Sequence, residues 1–394
     1  MNISLRIFLC CLVVALLCDA EVRAQLPVPI EQPRTFALDL ELGLEHSDNP
    51  GRFDPSGPDE TLLIPRLVLD ATRSGRLWQA SANGFIEYRH SIDNVFDDEV
   101  RANLIAQADW MIVPESLTWK FQDVASVEPI DVTAVDTPDN LQQTNVLITG
   151  PAWQIRPSEP WEALLDARFI HSASDEIDGF NSQRLSGSAR LLRRVAPTRN
   201  ASLGAEFTDV AFRDSPTDIN DYQRVDAFTR LTSVQARTEI DLAAGHTWIE
   251  PDHFQSITSP LLRATLDWRI REESRMRLSA RHELSDSVRQ LRTSIDDIDL
   301  PVATNTRLPV GSEIFELDEV ELGWFQTFER GTWSIVSSWR DYAFEREPDL
   351  DFREIGAAVV GNWRLTPLTA LLGRLEIERR RFDADQRRDT DYRG

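Results

Sequence analysis

Six histidines, His46, His90, His171, His246, His253 and His282, are the side chains best suited to act as a base beside a serine nucleophile. None of them comes with a Gly-x-Ser-x-Gly turn or a similar nucleophile motif, so histidine and serine content alone gives no acyl-transfer site. Close acid and base pairs offer a second possibility. Glu87 with Arg89, Asp267 with Arg269, and Arg374 with Glu376 each stand two residues apart. In an extended chain such pairs share a face, where fixed charges set a local field more readily than they turn over a proton. Acid-rich stretches offer a third. Asp93, Asp97 and Asp98, then Asp296, Asp297 and Asp299, then Glu345, Glu347, Asp349 and Asp351 could bind a hard divalent cation, or bridge through one to lipid phosphate. None has the ligand spacing of a dedicated calcium loop. The expectation is a protein without catalytic, cofactor or metal residues, and not an enzyme.

The elements that would carry these side chains alternate. From Thr35 to His46, Phe36, Leu38, Leu40, Leu42 and Leu44 take even positions, while Asp39, Glu41 and Glu45 take odd ones. A strand sends those two sets to opposite faces. The pattern recurs about seventeen times, the rhythm of a transmembrane barrel rather than of one half-buried strand. Short links at 73–76, 113–116, 156–160, 195–199, 232–235, 271–274, 328–331 and 365–368 alternate with long ones at 47–61, 91–98, 128–144, 172–182, 213–220, 250–258, 286–315 and 343–350. Tight periplasmic turns and long extracellular loops have this asymmetry. The fold class expected is all-β: a transmembrane, antiparallel, up-and-down outer-membrane β-barrel of about eighteen strands, with sixteen and twenty as the neighbouring even counts.

Face assignments follow from the alternation. Glu87, Arg89, Arg101, Asp109, Arg263, Asp267, Arg269, Arg374 and Glu376 fall in the polar phase and are expected to face the lumen, because a basic residue at mid-bilayer on the lipid face costs about 2–4 kcal/mol. Trp78, Trp110, Trp119, Trp153, Trp161, Trp268, Trp324, Trp333 and Trp363 fall in the apolar phase beside short links, which predicts an aromatic girdle at one membrane boundary. His246 and His282 also fall in the apolar phase, His246 near Trp248.

Residues 1–24 have the form of an export signal: Arg6, the apolar run from Ile7 to Cys18, and Val22-Arg23-Ala24 before Gln25. That run is too short for a spanning helix, which takes about 20 residues. Cys18 as a lipid-attachment site is disfavoured by the bulky Leu17. Cys10, Cys11 and Cys18 all lie in this segment, so the mature chain has no disulfide or thiolate site. Residues 25–34 are expected to form a short periplasmic segment and 35–394 the barrel, as one domain. The net charge of −23 excludes a nucleic-acid partner, and lysine occurs once, at Lys120. A mean hydropathy of −0.33 fits a barrel, since half of each strand is polar.

Two stretches carry a family resemblance. Thr137-Pro138-Asp139-Asn140 with Thr144-Asn145 and Gly150-Pro151 is one. Asp221-Tyr222 through Gln235-Ala236-Arg237-Thr238-Glu239 to Gly245 and Thr247-Trp248-Ile249 is the other. Together they resemble the outer-membrane β-barrel proteins associated with the PEP-CTERM and exosortase system. The resemblance implies a porin-like barrel in the outer membrane of a Gram-negative bacterium, encoded with exopolysaccharide and protein-sorting machinery. Its expected partners are outer-membrane lipid and lipopolysaccharide, exopolysaccharide or its secretion machinery, and further copies of itself, since porin-like barrels are often trimers. A non-conducting scaffold or receptor is the alternative, and the loop 286–315 is long enough to fold inward. Barrels of this type finish on an aromatic residue. Asp391-Tyr392-Arg393-Gly394 instead resembles the start of a strand, which predicts a sequence missing at least one strand.

Overall fold

The computed structural model describes residues 35–50, 57–130, 137–213, 220–296, 311–366, 369–382 and 390–393. The signal, the 25–34 segment, and Asp297 and Asp299 lie outside them. Among the described residues, eighteen antiparallel strands form an up-and-down sheet. They are β1 (Thr35–Asp48), β2 (Asp59–Ser74), β3 (Trp78–Ser91), β4 (Glu99–Val113), β5 (Leu117–Pro129), β6 (Leu141–Ser158), β7 (Trp161–Ser174), β8 (Ser182–Ala196) and β9 (Arg199–Phe212) in the first half. The second half has β10 (Tyr222–Val234), β11 (Thr238–Pro251), β12 (Ile257–Arg271), β13 (Ser274–Ser285), β14 (Phe315–Phe328), β15 (Gly331–Phe344), β16 (Phe352–Thr366), β17 (Thr369–Phe382) and β18 (Thr390–Arg393). The strand boundaries leave short and long links in strict alternation, as the sequence predicts. The fold is all-β, an antiparallel up-and-down arrangement of strands as the sequence predicts.

The strands fall into two compact units. Of the described residues, the first comprises those up to 153 and 168–183; the second comprises those in 154–167 and from 184 onward. In the first, β1 through β6 pair each with the next in sequence, and in the second β9 through β18 do the same. β18 pairs with Ile377–Arg380 of β17.

Each unit has one apolar and one polar face. In the first, Leu38, Leu40, Leu42 and Leu44 are 53–80% exposed. In the second, Leu203, Leu231, Leu262, Leu322 and Leu375 are 43–63% exposed. Rows of large aliphatic side chains left bare on this scale are what a lipid-facing surface requires and what water penalises, at roughly 25 cal/mol per Å².

Among the described residues, besides three short 3-10 turns, one α-helix departs from the all-strand expectation: α1, Ser287–Asp296, inside the longest link. Its start is written locally. The Asp286 carboxylate accepts the Val288 and Arg289 amides at 3.0 and 3.2 Å, an N-cap. Val288 and Leu291, three apart and therefore on one helical face, are both buried.

Candidate functional site

The polar faces carry ladders of opposite charge. In the first unit, Glu87 of β3 is 4% exposed and accepts Arg66 of β2 at 2.5 and 2.9 Å. Arg89 donates to Glu87 at 3.3 Å and to Glu45 of β1 at 2.7 Å, and lies 3.5 Å from Glu99. Arg101 pairs with Glu99, and Asp109 lies 3.9 Å from Lys120. Period-2 alternation places every one of these on the same face, and the register sets which strands' charges meet.

The second unit carries the larger ladder. Asp226 of β10 is buried under Arg224, which donates to it twice at 2.9 Å, and also accepts from Thr247 at 2.5 Å. Arg263 of β12 donates to Glu283 of β13 at 3.0 Å. Arg281 donates to Glu319 of β14 at 2.6 Å, and Arg340 of β15 reaches both Glu319 and Glu354 at 2.8 Å. Arg380 of β17 donates to Glu354 at 2.9 Å, and Arg374 to Glu376 at 2.7 Å. Asp267 is held by Arg275 and Arg277 of β13, at 2.5 and 2.9 Å, rather than by the sequence neighbour Arg269, which stands opposite Arg275. Carboxylates locked by guanidinium forks are poor proton carriers; they fix a field.

Helix α1 docks onto this ladder. Arg289 lies 3.3 Å from Asp226 and 3.8 Å from Glu206 of β9. Arg184 of β8 donates to Asp286 at 2.7 Å, and the Tyr222 hydroxyl does so at 2.9 Å. Burial pushes the Asp286 carboxyl up, but the Arg184 guanidinium outweighs it and holds the group below its ordinary value. No single sequence motif announces this junction, because its partners come from β8, β9, β10 and the 286–296 segment. The signals that could have found it are the Asp286 cap and the Val288/Leu291 spacing.

Family-resembling residues serve the framework. Asn145 donates to Asp123 at 2.7 Å, and Thr144 shares a hydroxyl contact with Ser126 at 2.9 Å. Thr247 binds Asp226, and Gly245 admits the backbone of Ala227 and Phe228 so closely that a Cβ would fall 2.1 Å from the Ala227 carbonyl oxygen.

The tryptophans flank the short links. Trp78 and Trp110 stack at 5.4 Å, Trp324 and Trp333 meet edge to face at 4.9 Å, and Trp153 and Trp363 are 50% and 47% exposed. Trp119 donates to Thr149 at 2.8 Å. Trp161 lies under Arg193, 5.3 Å from its ring centre, and Trp268 is 42% exposed. The ring of His246 packs edge-on against Trp248 at 4.7 Å.

One histidine gathers chemistry that sequence spacing hides. His282 of β13 has Nδ1 2.8 Å from Asp318 of β14 and Nε2 3.3 Å from the Ser259 hydroxyl of β12. That is the connectivity of a serine, histidine and aspartate relay. Its hydrogen bonding favours a structural role. The Ser259 hydroxyl donates to Glu316 at 2.7 Å, a shorter bond than its contact with His282, and the residue is 3% exposed. Pro260 follows it and has no N–H for an oxyanion. The ligand atoms of His282, Glu316 and Asp318 lie within 4.8 Å of one another, a group suited to a divalent cation that the acidic links do not match among the described residues. Of the link acids, Asp98 instead binds Tyr88, His90 and the Ser91 amide, and Asp351 accepts the Phe344 amide at 2.7 Å.

No family model and no curated protein matches the sequence. Among solved structures, the chain is similar to the outer membrane protein OpdK of Pseudomonas aeruginosa, at 10% identity and a TM-score of 0.45 over 92% of this chain and 96% of that one. It is also similar to OccK2 of the same organism, at 11% identity and 0.42, over 91% and 94%. The FrpB iron transporter of Neisseria meningitidis aligns at 7% identity and 0.45, over 88% of this chain and 61% of that one. The chain thus spans about three fifths of the iron transporter's length.

Proposed function

We propose that the chain is a porin-like conduit of the Gram-negative outer membrane, exported by a cleaved signal and working with exopolysaccharide export or secretion. The observation that carries this reading is the opposition of faces. The strands of the second unit leave Leu203, Leu262, Leu322 and Leu375 bare on one side and bury Arg224, Asp226, Glu283, Glu319, Arg340 and Glu354 on the other. Lipid satisfies the first side, and a polar pathway explains why charge is retained on the second. The link with exopolysaccharide rests on the sequence resemblance alone. A hydrolase is disfavoured by the engaged Ser259 hydroxyl.

The docked α1 favours a second reading, a closed scaffold or receptor. Arg289 ties the longest link to Asp226 and Glu206 of the charged ladder, where it would narrow a polar pathway. Planar-bilayer recording of the purified chain separates the two. Steps of current support the conduit, and silence at every voltage supports the scaffold.

A further inference from the structure

His282 stands near the end of β13 that enters the longest link, directly opposite Asp318 of β14, and Glu316 lies two residues nearer that link on the same face as Asp318. The β12–β13 register ends at Leu262 opposite His282, and beyond it Ser259 turns its hydroxyl toward His282 and Glu316. Charge sets this group apart from the polar face of the same strands. There Glu283 is locked by Arg263, and Glu319 by Arg281 and Arg340. Among the described residues, the one basic side chain within ion-pair distance of Glu316 or Asp318 is His282, which carries charge only when protonated. Glu345, in the link after β15, registers the excess of negative charge: burial raises its carboxyl, and the charges of Glu316 and Asp351 raise it further.

Three donor atoms converge. The Ser259 Oγ lies 2.7 Å from Glu316 Oε2 and 3.3 Å from His282 Nε2, and that nitrogen lies 3.9 Å from the same Oε2. A point equidistant from corners so spaced is about 2.0 Å from each, the length of a zinc bond to imidazole nitrogen or carboxylate oxygen. The other ring nitrogen, Nδ1, lies 2.8 Å from Asp318. A carboxylate there accepts a hydrogen bond from Nδ1–H and leaves Nε2 with its lone pair presented, the usual outer partner of a metal-binding histidine. The serine proton also has an alternative acceptor. It is donated to Glu316 in the structure, and the Pro260 carbonyl oxygen at 3.3 Å can take it when a cation occupies the space between the three donors.

We propose that Ser259 Oγ, His282 Nε2 and Glu316 Oε2 form a site for one zinc ion, with Asp318 orienting the imidazole. The nitrogen donor selects zinc over calcium and magnesium, which take oxygen ligands. His282 precedes the longest link and Glu316 follows it, so a bound ion ties β12, β13 and β14 together and closes the base of the link that carries α1. The site stands whether the chain conducts or is closed.

The test titrates the full chain, in detergent micelles, free of any affinity tag and stripped with EDTA, with zinc chloride in a calorimeter. One zinc per chain should bind with a micromolar or lower dissociation constant, and calcium or magnesium at the same concentrations should give no binding heat. His282→Ala should lose affinity at least tenfold. Asp318→Asn should keep one ion per chain and weaken it about 10- to 100-fold, the usual cost of losing an outer partner. His246→Ala, whose ring packs on Trp248, should bind zinc as the unaltered chain does. The unaltered chain gives a reading that needs no variant to fold: zinc should protect His282 from diethylpyrocarbonate, located by peptide mass spectrometry, and leave the exposed His253 equally modified. Absence of zinc binding, equal affinity for calcium, a site that survives His282→Ala in folded protein, or unchanged modification of His282 each overturns the inference. Unchanged affinity in Asp318→Asn overturns the role given to Asp318.

Discussion

Arg289 of α1 sits 3.3 Å from Asp226 of β10, sixty-three positions away in the chain, and both side chains are buried. An Arg289→Ala change leaves Asp226 to Arg224 and Thr247 alone, and losing one partner of a buried polar group costs about 1–3 kcal/mol. The helix should detach before the strands do. Single-channel recording should show a larger or longer-lived open level for Arg289→Ala than for the unaltered chain, with an unchanged β-sheet signal in circular dichroism. Identical currents would mean that α1 does not gate.

Asp98 should make the end of β3 sensitive to acid. The Tyr88 hydroxyl, the His90 ring and the Ser91 amide lower its carboxyl from 3.8 to about 2. A depressed folded value means that the clasp is fully formed above about pH 4 and is lost as pH falls through about 2. Amide exchange at Ser91 should accelerate over that window and not between pH 8 and 5. Asp98→Asn should abolish the dependence.

Two glycines of similar appearance should respond oppositely to a methyl group. At Gly245 an added Cβ meets the Ala227 carbonyl oxygen at 2.1 Å and the Phe228 Cα at 2.7 Å, backbone atoms that cannot step aside. At Gly361 it meets nothing within 4 Å. Gly245→Ala should lower stability by about 1–3 kcal/mol. Gly361→Ala should be neutral or slightly stabilising. Urea titration of vesicle-refolded protein reads both.

Brominated lipids provide a depth scale for the girdle. Trp363 and Trp268 are 47% and 42% exposed on the apolar face. Their fluorescence should be quenched most by bromines near the headgroup and least by bromines at the bilayer centre. Variants retaining only one of these tryptophans make the reading residue by residue.

Strand order and face were legible because alternation is local: Leu262 and Arg263 declare opposite sides with no knowledge of their neighbours. The ladder's partners were less legible. Asp267 meets Arg275 and Arg277 because of the β12–β13 register, whereas sequence proximity suggested Arg269. Ser259, His282 and Asp318 are spread over three strands, so no spacing rule connects them. Helix α1 escaped because an acid-rich link hides a ten-residue helix with only three apolar residues, Val288, Leu291 and Ile295.

The central claim is that one face of these strands meets lipid and the other does not. Leu262 and Thr265 lie three residues apart on β12, on the apolar and polar faces, Thr265 opposite Asp241. Arginine should be introduced at each position and the folding free energy measured in phosphatidylcholine vesicles. Leu262→Arg should cost about 2–4 kcal/mol, and Thr265→Arg less than about 1 kcal/mol. Equal costs at the two positions, or a larger cost at Thr265, would contradict the account.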